Sequence, residues 1–197
     1  MKKALIIFVR HPELGKVKTR LAAGIGNEAA LCIYKKLLEH TLTITKTIEA
    51  DKFVYYADHI VNDDMWQHEH YYKLLQENAD LGKRIQTAFQ TVFDRGYKRV
   101  CIIGSDCYEL STEIIDDAFT ALDQNDVVVG PAKDGGYYLL GIKELHHQLF
   151  ENKNWSTETV FAETIQTINE LNLSFTTLPV LKDVDVVEDV PEEWLVK

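Results

Sequence analysis

The sequence predicts an α/β fold: a mostly parallel sheet with helices on both faces, in three α/β/α layers. Three observations carry this. Short apolar runs alternate with helix-length amphipathic segments along the chain, an order that implies crossovers through helices. The apolar runs are continuous rather than alternating, as expected of strands covered on both faces. Turn and capping residues fall between the segments rather than inside them.

Residues 3–9 form the first apolar run, ending at the turn signals His11-Pro12 and Gly15. Asn27 is placed to cap a long helix in which Leu31, Tyr34, Leu38 and Leu42 recur at three- and four-residue spacing. Residues 52–57 and 72–76 read as strands, with a helical stretch expected over 65–70. After Gly82, the stripe Ile85, Ala88, Phe89, Val92 and Phe93 predicts a helix stopped by Gly96. Residues 99–103 are the next strand. Ser111 caps a helix carrying Ile115, Ala118, Phe119 and Leu122, followed by strands over 126–129 and 137–142. A helix with Val160, Phe161, Ile165, Ile168 and Leu171, opening near Trp155, and a strand over 174–181 complete the pattern.

A chain of 197 residues, 46% hydrophobic, fits one domain over residues 1–197 with a sizeable core. No stretch approaches a membrane span, and the run at 3–9 is too short for a signal peptide, so the expected location is cytoplasmic. Cys32, Cys101 and Cys107 make neither a disulfide set nor a metal-ligand spacing, which fits reduced thiols. The net charge of -10 argues against nucleic acid as a partner. That charge is unevenly spread. Lys2, Lys3, Arg10, Lys16, Lys18 and Arg20 meet only Glu13 among the first twenty residues, whereas the segment after Leu181 is rich in Asp and Glu. A basic loop suggests an anionic ligand, and an acidic cluster suggests a cation.

Four segments can carry chemistry. The loop from Arg10 to Leu21 follows the first strand and runs into a helix start, where backbone amides with Lys18 and Arg20 can hold a diphosphate. It lacks the glycine and lysine spacing of a Walker loop. Gly104-Ser105-Asp106 places a carboxylate where a strand ends, and a metal bridging phosphate oxygens is the partner that would give it a chemical role. Asp134-Gly135-Gly136 reads as a hairpin turn whose glycines let backbone approach a ligand and whose acid can bind hydroxyls or take a proton. Asp183 and Asp185 point to the same side of an extended chain, so both can face a metal. Asp189 is placed to cap a final helix ahead of Pro191. The pairs His68/His70 and His146/His147 do not share a helical face and are given no role.

Taken together, these segments resemble the DUF2064 group of small nucleotide-diphospho-sugar transferases with the GT-A glycosyltransferase fold, some of which are named arsenosugar-biosynthesis glycosyltransferases. The resemblance spans nearly the whole chain. It rests on Gly15 with Lys18-Thr19-Arg20-Leu21, Asp80-Leu81-Gly82 with Arg84, Gly104-Ser105-Asp106, Gly130-Pro131 with Asp134-Gly135-Gly136-Tyr137-Tyr138, Trp155-Ser156-Thr157, and Asp183-Val184-Asp185 with Glu188-Asp189. It implies Mg²⁺ or Mn²⁺ on Asp106 and Asp185; the candidate catalytic residues are Asp106, through the metal, and Asp134, as the base that takes the acceptor's proton. The nucleotide would meet Arg10, Gly15, Lys18, Thr19, Arg20, Asp80, Arg84, Gly135 and Gly136. The sequence departs from the family pattern at Tyr108, Lys83, Val186 and Asn78-Ala79, which leaves the metal carboxylates in place. The expected activity is glycosyl transfer from a nucleotide sugar to a small-molecule acceptor. Nucleotidyl transfer from a triphosphate is the alternative, and a nucleotide-binding scaffold without catalysis a third reading.

Overall fold

The computed structural model describes residues 2–195. Its seven strands are β1 (Lys3–Val9), β2 (Asp51–Tyr56), β3 (Tyr71–Leu75), β4 (Arg99–Ile103), β5 (Val127–Pro131), β6 (Tyr137–Ile142) and β7 (Phe175–Thr177). They form one sheet in the order β3-β2-β1-β4-β6-β5-β7. β6 is antiparallel to β4 and to β5, and every other pairing is parallel. The central strands are apolar on both sides because both sides are covered. Leu5, Ile7 and Val9 of β1 join one core cluster, and Ala4 and Ile6 join the other.

The helices are α1 (Thr19–Ile25), α2 (Asn27–Lys46), α3 (Leu81–Asp94), α4 (Thr112–Ala121) and α5 (Val160–Glu170). α1, α2 and α4 pack on one face through Leu21, Ile33, Leu37, Ile115 and Phe119. α3 and α5 cover the other through Ile85, Phe89, Val92 and Ile168, completing the three layers expected from the sequence. Two starts are capped: Ser111 Oγ accepts from Ile114 N at 3.4 Å, as the sequence indicates, and Asp80 Oδ1, expected at the nucleotide, accepts from Lys83 N at 3.0 Å. One clamp closes the far end of the sheet. Asp126 Oδ2 accepts from Ser174 N (3.0 Å) and Ser174 Oγ (2.6 Å), joining the starts of β5 and β7.

Several local expectations are corrected. Residues 65–70 form a bend and a turn, not a helix; Asp64 Oδ1 accepts from Trp66 N at 3.0 Å and pins Trp66 inward. Asn27 is already helical; Gly26, at φ 86°, joins α1 directly to α2 and takes the cap position. The stripe of α2 is rotated, with Leu31 and Leu42 only partly buried. The segment from Trp155 is a turn held by Thr157 Oγ1 on Asn154 O (2.6 Å), and α5 starts at Val160. β7 is only three residues, followed by Pro179, which cannot donate to a ladder, and by a single bridge from Leu181 to Ala132. Asp189 reaches backwards, its Oδ2 accepting from the backbone nitrogens of Asp185 and Val186 at 2.9 Å each. Among the described residues no helix is long and apolar enough to cross a membrane.

Candidate active site

A cleft of about 710 Å³ opens at the carboxyl ends of β1 and β4, against the turn of the β5–β6 hairpin. This is where ligands of open α/β sheets bind. One end is charged, lined by Lys18, Arg20, Asp106, Asp134, Asp183 and Asp185; the other is apolar, with Phe8, Leu81, Ile85, Tyr137 and Trp155. The Tyr137 hydroxyl is buried there without a hydrogen-bond partner among the described residues.

The charged end is built from three distant parts of the chain. Lys18, at the cap of α1, adopts the left-handed conformation (φ 49°, ψ 46°), and its side chain is only 6% exposed. Its Nζ lies 3.0 Å from Asp106 Oδ1 and 3.3 Å from Asp185 Oδ1. Arg20 Nη2 holds the other Asp185 oxygen at 2.8 Å. The two side chains expected to grip phosphate are thus bound to the two acids expected to grip a metal. A buried ammonium needs such partners, since desolvation without them costs several kcal/mol.

Asp106 is positioned from both sides. Tyr34 of α2 accepts from Arg10 N (2.9 Å), donates to Arg10 O (3.2 Å), and lies 3.4 Å from Ser105 Oγ. It therefore ties the exit of β1 to the residue before Asp106. On the other side Val184 N donates to Asp106 O (2.9 Å) and Lys182 N to Glu109 Oε2 (2.8 Å), laying the tail acids beside the end of β4. The Tyr34 hydroxyl is pushed up to about 12, first by burial and then by the charge of Asp106.

Asp183 is the most altered acid. Burial, then the charges of Asp106 and Asp134, raise its carboxyl to about 7, against the opposing pull of Lys18. Sequence alternation put it beside Asp185, but the expected metal pair left it out. Tyr34 counted in the sequence only as a helix-stripe residue; its bonds across 24 and 71 positions have no local signal.

Of the other expected site residues, Arg10, Thr19, Arg84, Asp134 and Gly136 line the cleft. Asp134 Oδ1 accepts from Gly136 N at 2.9 Å, which fixes the turn. Gly15, Asp80 and Gly135 do not line it: Gly15 (φ 74°) shapes the loop, and Asp80 caps α3. Gly135 (φ 89°) packs against the backbone of Glu158, and its carbonyl accepts from Phe161 N at 2.9 Å. Its lack of a side chain seats the 155–159 turn rather than admitting a ligand.

A comparison with curated proteins gives no match. Among solved structures, a candidate nucleotide-diphospho-sugar transferase from Desulfovibrio desulfuricans G20 is 32% identical, with a TM-score of 0.86 over 95% of this chain and 84% of its own. More distant structures share the fold. A cytidylyltransferase from Leptospira borgpetersenii is 15% identical (TM-score 0.62; 96% and 83% covered). The 4-diphosphocytidyl-2C-methyl-D-erythritol synthase from Anaerococcus prevotii is 11% identical (TM-score 0.61; 95% and 92% covered). The family model described as "Uncharacterized protein conserved in bacteria (DUF2064)" matches residues 41–157. With more than half of the chain matched, and a 32% identical relative aligned over nearly all of it, the chain belongs to the DUF2064 family.

Proposed function

We propose that the protein is a metal-dependent glycosyltransferase, taking a nucleoside-diphosphate sugar as donor and a small hydroxylated molecule as acceptor. The observation that carries this reading is the convergence of Asp106 Oδ1 and Asp185 Oδ1 on one cationic atom beside Arg20, in a cleft large enough for a nucleotide. The donor set fits a hard divalent cation such as Mg²⁺ or Mn²⁺: two carboxylates converge on one point. No group of three His, Cys, Asp or Glu able to hold a metal occurs among the described residues, so phosphate oxygens and water would complete the shell. When bound, the cation would neutralise charge developing on the departing diphosphate.

The chain's own residues supply the rest. Lys18 and Arg20 hold phosphate oxygens of the leaving nucleoside diphosphate, and Arg10, Thr19 and Arg84 line the same cleft. Asp134, whose Oδ1 is engaged by Gly136 N, has Oδ2 left to take the proton from the acceptor hydroxyl. The acceptor oxygen bonds to the anomeric carbon as the bond from that carbon to the phosphate oxygen breaks. Leu81, Ile85, Tyr137 and Trp155 offer an apolar wall for a base or sugar ring.

The test is a thermal-shift screen of nucleotides and nucleotide sugars with and without Mn²⁺, followed by turnover assays. Stabilisation by a nucleoside diphosphate or its sugar conjugate only when Mn²⁺ is present, lost in Asp106→Ala, is the expected result. Pyrophosphate release from a triphosphate and a phosphorylated acceptor, with no nucleotide sugar consumed, replaces the reading with nucleotidyl transfer. Nucleotide binding indifferent to Mn²⁺ and to Asp106→Ala replaces it with a binding protein.

A further inference from the structure

Two acids of the cleft, Asp106 and Asp185, are ion-paired within the protein itself. We propose that Lys18 is an internal counter-ion occupying the position of the divalent cation, so that the free protein excludes the metal and admits it only together with nucleotide phosphates. The inference rests on the reading above, in which Asp106 and Asp185 hold the cation.

Three observations converge on it. The Lys18 ammonium is the common partner of the two carboxylate oxygens, at 3.0 and 3.3 Å, and with only 6% of the side chain exposed it fills the space between them. A cation at about 2.0–2.1 Å from the same two oxygens, as Mg²⁺ requires, cannot coexist with an ammonium there. Second, the backbone is committed to this arrangement. Lys18 sits at φ 49°, a left-handed conformation costly for a residue with a Cβ and worth holding only where the side chain is wanted. Third, Arg20 occupies the outer oxygen of Asp185 at 2.8 Å, so that acid has neither oxygen free.

Phosphate reverses the balance. A diphosphate entering beside the β1–α1 loop offers Lys18 and Arg20 anionic oxygens of their own; Lys18, on a flexible four-carbon stem, and the exposed Arg20 can both leave the carboxylates for them. The released carboxylates then face the cation that the phosphates carry. The site therefore selects the metal–nucleotide complex over either component, and binding of metal and nucleotide is cooperative, each raising affinity for the other by the same factor.

The experiment uses Mn²⁺ alone, followed by electron paramagnetic resonance and by melting temperature, on wild type, Lys18→Met and Lys18→Gly. The glycine variant suits the left-handed backbone and guards against a folding defect in the methionine variant. Expected is no Mn²⁺ uptake by wild type and clear uptake by both variants, with apparent affinity raised on the order of tenfold or more. Mn²⁺ should also raise the melting temperature of the variants but not of wild type, and adding Asp106→Asn to Lys18→Gly should abolish the effect. Equal Mn²⁺ binding by wild type and variants overturns the proposal and leaves the metal reading standing. No Mn²⁺ binding by any of them also overturns it, and Mn²⁺ uptake in the presence of nucleotide then decides the metal reading separately.

Discussion

The hydroxyls of Tyr34 and Ser105 lie 3.4 Å apart, so that a helix residue and a strand-end residue hold the approach to Asp106 from opposite sides of the cleft floor. The same Tyr34 oxygen bonds both backbone groups of Arg10. Tyr34→Phe removes these bonds while keeping the ring in the core, and leaves the part-buried Arg10 N–H without this partner. The expected loss of stability is about 1–3 kcal/mol, read from urea unfolding. Nucleotide affinity should fall as well, because the β1 exit and the Asp106 loop are no longer tied together.

Gly135 and Gly96 share nearly the same backbone, φ 89° and 87°, in different surroundings. A Cβ on Gly96 meets nothing within 4 Å, whereas one on Gly135 overlaps the Glu158 backbone. Gly96→Ala should cost about 1–2 kcal/mol for the left-handed conformation alone. Gly135→Ala should cost clearly more and loosen the 155–159 turn, which limited proteolysis will detect. Equal costs in thermal unfolding would show that the turn yields freely.

Gly82, in the first turn of α3, lies against the Trp155 indole and the Phe150 carbonyl. Gly82→Ala forces the indole away despite alanine's better helix propensity. The expected result is a shift in tryptophan emission and a net destabilisation of about 1–3 kcal/mol, as for other overpacked sites. A gain in melting temperature with unchanged emission would contradict the packing described.

Asp126 supplies a pH dependence of known sign. Its carboxyl is held below the usual range, first by the Ser174 hydroxyl, then by the Ser174 amide, with Lys143 contributing. Because the folded value is depressed, the stabilisation is present above the unfolded value near 3.8 and is lost as pH falls below it. Asp126→Ala should therefore cost about 1 kcal/mol at pH 7, modest because the group is partly exposed, and the difference from wild type should shrink below pH 4. Paired acid-range denaturation curves measure it.

The sheet was legible in the sequence because its strands are covered on both faces and so read as unbroken apolar runs. All seven expected strands are present, three of them, 3–9, 99–103 and 137–142, at the expected boundaries. The misread elements depend on side chains that bond backbone locally or on single residues. Asp64 bends residues 65–70, and Gly26 lets one helix follow another without the Asn27 cap. At the cleft, the sequence identified the acids and bases separately, as phosphate and metal ligands. Their mutual pairing joins positions that no periodicity relates, and the burial that singles out Asp183 exists only once the tail lies against β4.

The Lys18–Asp185 contact also has a temporal meaning. Its partners are 167 positions apart, so the charged end of the cleft closes over a long loop of chain. A contact over that separation carries a large loop-closure entropy and is slow to form. During synthesis the basic loop emerges before Asp106 and stays without Asp185 until residues 183–185 have left the ribosome. A chain interrupted before residue 183 would carry all seven strands of the sheet but lack Asp185, leaving Arg20 and one side of Lys18 without their acid. Ligand competence thus requires that synthesis has passed Asp185.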